Sequence, residues 1–156
     1  ELDYLIVDLP PGTGDVPLTM SQMLSVTGAV VVCTPQKVAQ DDAVRAVRMF
    51  QQLKIEVLGI VENMSYFVCP DCGGRHDIFG HGGARDEAAR IGTPFLGEVP
   101  LSMPIRETSD AGRPVVATAP DGPHAKVYLE IAAKVRARLD ELSGAGGREM
   151  PEIVFE

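Results

Sequence analysis

The sequence predicts an α/β fold: a doubly wound, mostly parallel sheet with helices on both faces. Three observations carry that prediction. Short apolar runs at Tyr4–Asp8, Ala29–Cys33, Val57–Val61 and Phe95–Val99 are rich in β-branched or aromatic residues and too short for helices, as strands buried on both faces are. Helix-period segments alternate with them, which implies right-handed crossovers between parallel strands. The chain has 156 residues, 45% hydrophobic and 23% charged, enough for one domain with a real core.

Each element has its own reason. Tyr4–Asp8 is a strand stopped by Pro10 and Pro11. Leu18, Met20, Met23 and Leu24 mark a short helix, and Ala29–Cys33 is a second strand ended by Pro35. Gln36–Lys54 is a helix with Ala43, Ala46, Val47, Phe50 and Leu53 on one face. Val57–Val61 is a third strand running into Glu62 and Asn63. Residues 64–80 break the rhythm: two short strands around Cys69-Pro70-Asp71-Cys72-Gly73-Gly74 predict a hairpin inserted in one βα connection. A helix over Ala84–Ile91 and a strand over Phe95–Val99 follow, then a helix over 102–111 with Gly112 as its C-terminal cap. Val115–Ala117 is expected to be extended. Tyr128, Ile131, Ala132, Val135, Leu139 and Leu142 repeat at helical spacing. Residues 1–142 are expected to be the C-terminal part of a single domain, with the hairpin inserted at about 64–80, and 143–156 a flexible tail.

Charge and composition exclude several classes. Acids outnumber bases 22 to 14, for a net charge of −8, without the basic stripe of a nucleic-acid domain. No apolar run reaches the ~18 residues of a membrane span, and no charged stretch followed by an apolar one marks a signal peptide. Three cysteines do not make a disulfide framework. The expectation is a reduced, cytoplasmic protein with no nucleic-acid or membrane partner. The 16 glycines and 12 prolines place its chemistry in loops. A chain that opens without methionine, directly on a core-strand signal, is expected to be the C-terminal portion of a longer protein.

Ligands of an open parallel sheet bind at the carboxyl ends of its strands. Asp8, Asn63 and the Val99-Pro100-Leu101 segment fall there. An aspartate closing a buried strand can hold Mg²⁺ beside phosphates. Pro10 and Pro11 stiffen the exit, and Gly12 lets a backbone N–H approach a phosphate oxygen. An acidic strand end before a proline-rich turn accounts for the same residues, and a turn asparagine accounts for Asn63. Cys69 and Cys72 on a tight turn aim both sulfurs at one point, yet one pair cannot complete a four-ligand site. A second chain could add the other pair across a two-fold axis, or His76 and His81 could complete a zinc site within one chain. A redox dithiol would instead open a helix after a strand. Cys33 reads as a core cysteine and His124 as solvated.

The Asp8–Asp15 string, followed by Gly59-Ile60-Val61-Glu62-Asn63-Met64-Ser65, Cys69-Pro70-Asp71-Cys72 and Gly97-Glu98-Val99-Pro100-Leu101, resembles the Mrp (ApbC-type) family. That family comprises P-loop ATPases, in the group of MinD and the nitrogenase iron protein, that carry iron–sulfur clusters. The resemblance runs from about Leu2 to Leu142. It implies a homodimer that binds a [4Fe–4S] cluster between subunits through Cys69 and Cys72 and passes it to apo-proteins under control of ATP and Mg²⁺. It implies Asp8 as the Mg²⁺-linked acid, Gly12 as the γ-phosphate sensor beside Pro11, Asn63 as the adenine contact and Pro100 as a wall of its pocket. The chain departs from the family in lacking the phosphate-binding loop and the switch I aspartate. It is therefore expected to hold half an ATP site and, alone, to be inactive. The alternative is a non-catalytic module in which a zinc-stapled hairpin makes a dimer and the nucleotide site is vestigial.

Overall fold

The computed structural model describes residues 2–10 and 14–144. Three strands, β1 (Ala29–Cys33), β2 (Val57–Glu62) and β5 (Phe95–Glu98), form a parallel sheet in the order β1-β2-β5. A separate antiparallel hairpin pairs β3 (Phe67–Val68) with β4 (Arg75–His76). The helices are α1 (Asp15–Met23), α2 (Lys37–Gln52), α3 (Gly83–Arg90), α4 (Met103–Asp110), α5 (Val115–Thr118) and α6 (Pro123–Gly144).

All six residues of β2 are buried, as expected of a central strand covered on both faces. Successive side chains alternate, so Ile60 and Val61 enter different cores. On one face Ile60, Val31 and Cys33 pack against Ala43, Val47 and Phe50 of α2 and Ala84 and Ala88 of α3. On the other, Val61, Leu96 and Val99 meet Val127, Tyr128, Ile131 and Val135 of α6. β1 is an edge, with Val31 and Cys33 buried and Val30 and Val32 exposed.

Helix ends follow local chemistry. The peptide N–H groups of Gly112 and Arg113 donate to the carbonyls of Ser109 and Thr108, and Gly112 takes φ +66, the left-handed cap expected there. Lys54 closes α2 in the same way at φ +58, a conformation that costs a residue with a Cβ about 1–2 kcal/mol.

Two elements differ from expectation. Tyr4–Asp8 is not a strand: nothing among the described residues pairs with it, and Tyr4, Leu5, Ile6 and Val7 are exposed. An apolar run becomes a buried strand only beside a neighbour, and here only Leu9, at its end, packs on the core. Val115–Thr118 is a helical turn rather than an extended piece. Pro114 precedes it with φ −54, and its carbonyl accepts the N–H groups of Ala117 and Thr118. At the C-terminal end α6 runs through Ser143 and Gly144, and the rest of the expected tail lies outside the described residues.

Parallel register brings Cys33, Glu62 and Glu98 into one row across the carboxyl ends of the three sheet strands. The hairpin springs from the same end, four residues beyond β2.

Candidate functional site

The segment leaving β2 is laced to its neighbours by backbone bonds. Asn63 N–H donates to Cys33 O at 2.7 Å, Val99 N–H to Glu62 O at 2.8 Å, Ser65 N–H to Val99 O at 3.0 Å and Leu101 N–H to Tyr66 O at 2.7 Å. Asn63 and the buried Pro100 therefore ride on two adjacent segments held in fixed register. Met64 sits at φ +53, and its N–H donates to Asn63 Oδ1 at 3.0 Å. That bond is the turn role open to any asparagine. It leaves the Asn63 amide nitrogen, which donates to nothing among the described residues, as the group able to meet a ligand. Asp8 is exposed on the N-terminal segment and makes no hydrogen bond or ion pair among the described residues. Pro11 and Gly12 lie outside the described residues.

The cysteine turn is built around sulfur. Cys69 N–H donates to Gly74 O and Gly73 N–H to Cys69 O, both at 2.9 Å, with Gly73 at φ +69. The backbone N–H groups of Cys72 and Asp71 and the Cys72 thiol donate to the Cys69 sulfur and lower its pKa. A thiolate cradled by N–H groups is a ready ligand for a metal ion or cluster. Cys69 is half-buried and Cys72 exposed, whereas Cys33 is buried. Burial, then the nearby Glu62 carboxylate, pushes the Cys33 thiol up to about 11. The core reading of Cys33 holds.

The histidines separate. A Cβ built on Gly74 would lie 3.3 Å from Cys72 Sγ and 3.4 Å from His76 Nε2, so His76 borders the cysteine pair. His81 turns elsewhere: its ring, with Glu62 and Glu98, forms a group whose ligand-capable atoms lie within 4.8 Å of one another. A one-chain Cys₂His₂ site is thus not assembled. Glu98 and His81 of this group already meet arginines. Arg85 Nη2 is 2.9 Å from Glu98 Oε1, Arg75 Nη2 is 3.6 Å from Glu98 Oε2, and Arg75 Nη2 is 3.0 Å from His81 Nδ1. A guanidinium only donates, so His81 Nδ1 accepts, and a cation would have to displace it.

Three features escaped the sequence. Glu62 is fully buried, with Oε1 accepting the Ser65 hydroxyl at 2.6 Å and Oε2 accepting the Ala84 backbone N–H at 2.8 Å. An acid ending a wholly apolar run was its one visible sign. Arg75 tethers the hairpin: besides Glu98 and His81 it reaches Asp77 Oδ1 at 3.1 Å and stacks 4.1 Å over the Tyr66 ring. His124, expected in solvent, is partly buried with Nε2 3.0 Å from Ser102 Oγ.

The chain matches the family model for the ParA-type NUBPL iron-transfer P-loop NTPases over residues 1–136. It is 48% identical over 151 residues to a Dictyostelium discoideum iron–sulfur cluster transfer protein NUBPL, covering 97% of this chain and 47% of that protein. It is 49% identical over 152 residues to a Deinococcus radiodurans iron–sulfur cluster carrier protein, covering 97% of this chain and 42% of that one. The chain spans about half the length of the curated relatives it matches. Among solved structures, an Archaeoglobus fulgidus nucleotide-binding protein in complex with ADP, with cobalt found in it, superposes with a TM-score of 0.65 at 48% identity. That match covers 72% of this chain and 46% of the other. The Pyrococcus furiosus cell-division ATPase MinD superposes with a TM-score of 0.66 at 24% identity, covering 86% and 52%, and shares the fold. Among the described residues no helix is long and apolar enough to cross a membrane.

Proposed function

The chain belongs to the NUBPL iron-transfer family of ParA-type P-loop NTPases, and from that premise we propose that the protein carrying it is an ATP-dependent iron–sulfur cluster carrier. It binds a [4Fe–4S] cluster between two copies of the chain through Cys69 and Cys72 and passes it to apo-proteins. The observation that carries the reading is the cysteine turn: two thiols on a projecting hairpin, one of them cradled by backbone N–H groups that favour the thiolate. Such a cluster takes four thiolates, each chain offers one turned pair, and Cys33 is locked in the sheet, so a two-fold dimer supplies the set.

The nucleotide half of the proposal rests on Asn63 and Pro100 at the carboxyl edge of the sheet, as contacts for adenine. Asp8 serves as the Mg²⁺-linked acid, with Pro11 and Gly12 at the γ-phosphate. These residues make only part of an ATP site, so hydrolysis is proposed for the full-length protein and not for this chain alone.

Anaerobic reconstitution tests the cargo. The expected result is about four irons per dimer with broad visible absorbance that air destroys. Cys69→Ser and Cys72→Ser lose both signals, and Cys33→Ser keeps them. One zinc per chain under iron-replete conditions, lost in His76→Ala, would overturn the cluster reading in favour of a zinc-stapled dimer module.

A further inference from the structure

Glu62 is the only carboxylate among the described residues that is completely buried, and no arginine or lysine pairs with it there. Removing such a group from water is expensive unless donors surround it. Here the donors are the Ser65 hydroxyl and the Ala84 N–H in the first turn of α3, whose dipole also favours a negative charge. One side chain therefore joins three parts: the end of the central strand, the root of the cysteine hairpin and the start of α3.

The same short turn carries Asn63. Its backbone is bonded on one side to Cys33 O and on the other to the Val99–Leu101 segment that bears Pro100. Between Asn63 and Ser65 stands Met64 in the left-handed region, a conformation a non-glycine residue holds only when its surroundings enforce it. Beyond Ser65 the chain runs into Phe67, which bridges to Leu101, and then to Cys69. Anything that shifts Asn63 or Pro100 must act on Ser65 through this turn, and the carboxylate fixes how Ser65 answers.

We propose that Glu62 is the positioning residue that links the nucleotide edge to the cysteine hairpin, acting as a hydrogen-bonded strut between Ser65 and α3. This rests on the carrier function proposed above. The strut works through its two hydrogen bonds and not through its charge. Glu62→Gln preserves it, because the amide oxygen can accept from Ala84 and the amide nitrogen can donate to Ser65 Oγ. Ser65→Ala cuts the hairpin arm alone and leaves the α3 arm intact.

The test uses the full-length protein in two states. In metal-free protein, hydrogen exchange of residues 67–74 is measured with and without Mg-ATP. In cluster-loaded protein, the rate of transfer to an excess of an apo-ferredoxin is measured with and without Mg-ATP, alongside cluster content and nucleotide affinity. The wild type is expected to change hairpin protection and transfer rate on adding nucleotide. Ser65→Ala is expected to lose both responses, its with-to-without transfer ratio moving to about one, while cluster content and nucleotide affinity stay within about twofold. Glu62→Gln is expected to keep both. Retained responses in Ser65→Ala overturn the inference, as does their loss in Glu62→Gln. A wild type whose hairpin does not respond to nucleotide also overturns it and leaves cluster binding standing. A wild type that responds in exchange but never holds a cluster overturns the carrier reading instead.

Discussion

Replacing Gly73 tests whether the geometry of the cysteine turn is what makes the site. Gly73 takes φ +69, and a Cβ added there meets nothing within 4 Å. Alanine therefore introduces no clash, and its whole effect is conformational, about 1–2 kcal/mol for a β-carbon in the left-handed region. That penalty falls on metal binding and not on folding. The hairpin has two residues per strand, a length that is marginal in water without a ligand. In the alanine variant the metal-free turn is expected to relax, and binding must restore it. One turn then loses roughly 5–30-fold in affinity, and a site built from two chains meets the penalty twice, for roughly 30–900-fold. Asparagine tolerates the left-handed conformation, so Gly73→Asn should recover most of the loss. The assay is an anaerobic Co²⁺ titration of the full-length protein, read by sulfur-to-metal absorbance against a competing chelator. An alanine variant within about twofold of wild type, or an asparagine variant no better than alanine, would refute the reasoning.

Two further outcomes follow from the same structure. In metal-free protein at pH 8, iodoacetamide should modify Cys69 first and Cys33 last, because backbone N–H groups lower the one thiol and burial raises the other to about 11, leaving ~0.1% thiolate; mass spectrometry showing Cys33 modified as fast as Cys69 would contradict the assignment. Gly97→Ala places a Cβ 2.9 Å from Ile131 Cγ1 and so wedges α6 off β5, for an expected loss of ~1–3 kcal/mol in denaturant unfolding. Combining it with Ile131→Ala should cost less than the sum of the two single changes, and strict additivity would show that the contact is not the cause.

The parts that were legible in the sequence depend on local or pairwise pattern. Alternation of apolar runs with helical periods marked β1, β2 and β5 as strands of one parallel sheet, whereas their order, with Val57–Glu62 in the centre, came only from the structure. The cysteine hairpin was visible because its turn residues and spacing are local. Tyr4–Asp8 shows the limit of that logic. Its residues favour a buried strand, yet a strand exists only by pairing, and among the described residues this run pairs with none. Val115–Thr118 shows another: the β-branched pair favours extension, but Pro114 sets a helical turn that no apolar count contains. The Arg75 tether and the buried Glu62 were out of reach because each depends on which side chains three different elements bring together.

Under the proposed carrier function the division of rigidity in this fold has a consequence for cargo. The root of the site is held by a fully buried carboxylate and by backbone bonds into the central strand. The thiols sit on a small hairpin joined to the body at its base, by the Phe67–Leu101 bridge, the Leu101–Tyr66 and Ser65–Glu62 bonds and the Arg75 tether to Glu98 and His81. Segments with few buried contacts open at low free energy. Part of the binding energy of any cluster must then go into ordering the hairpin, which weakens its hold relative to a rigid four-cysteine cage. Placing the weakness in the hairpin, with the strong bonds at its root, leaves the thiols free to change partner while the turn that carries Asn63 keeps its register with Pro100. A cluster held on rigid strands of the sheet would gain affinity and lose that freedom.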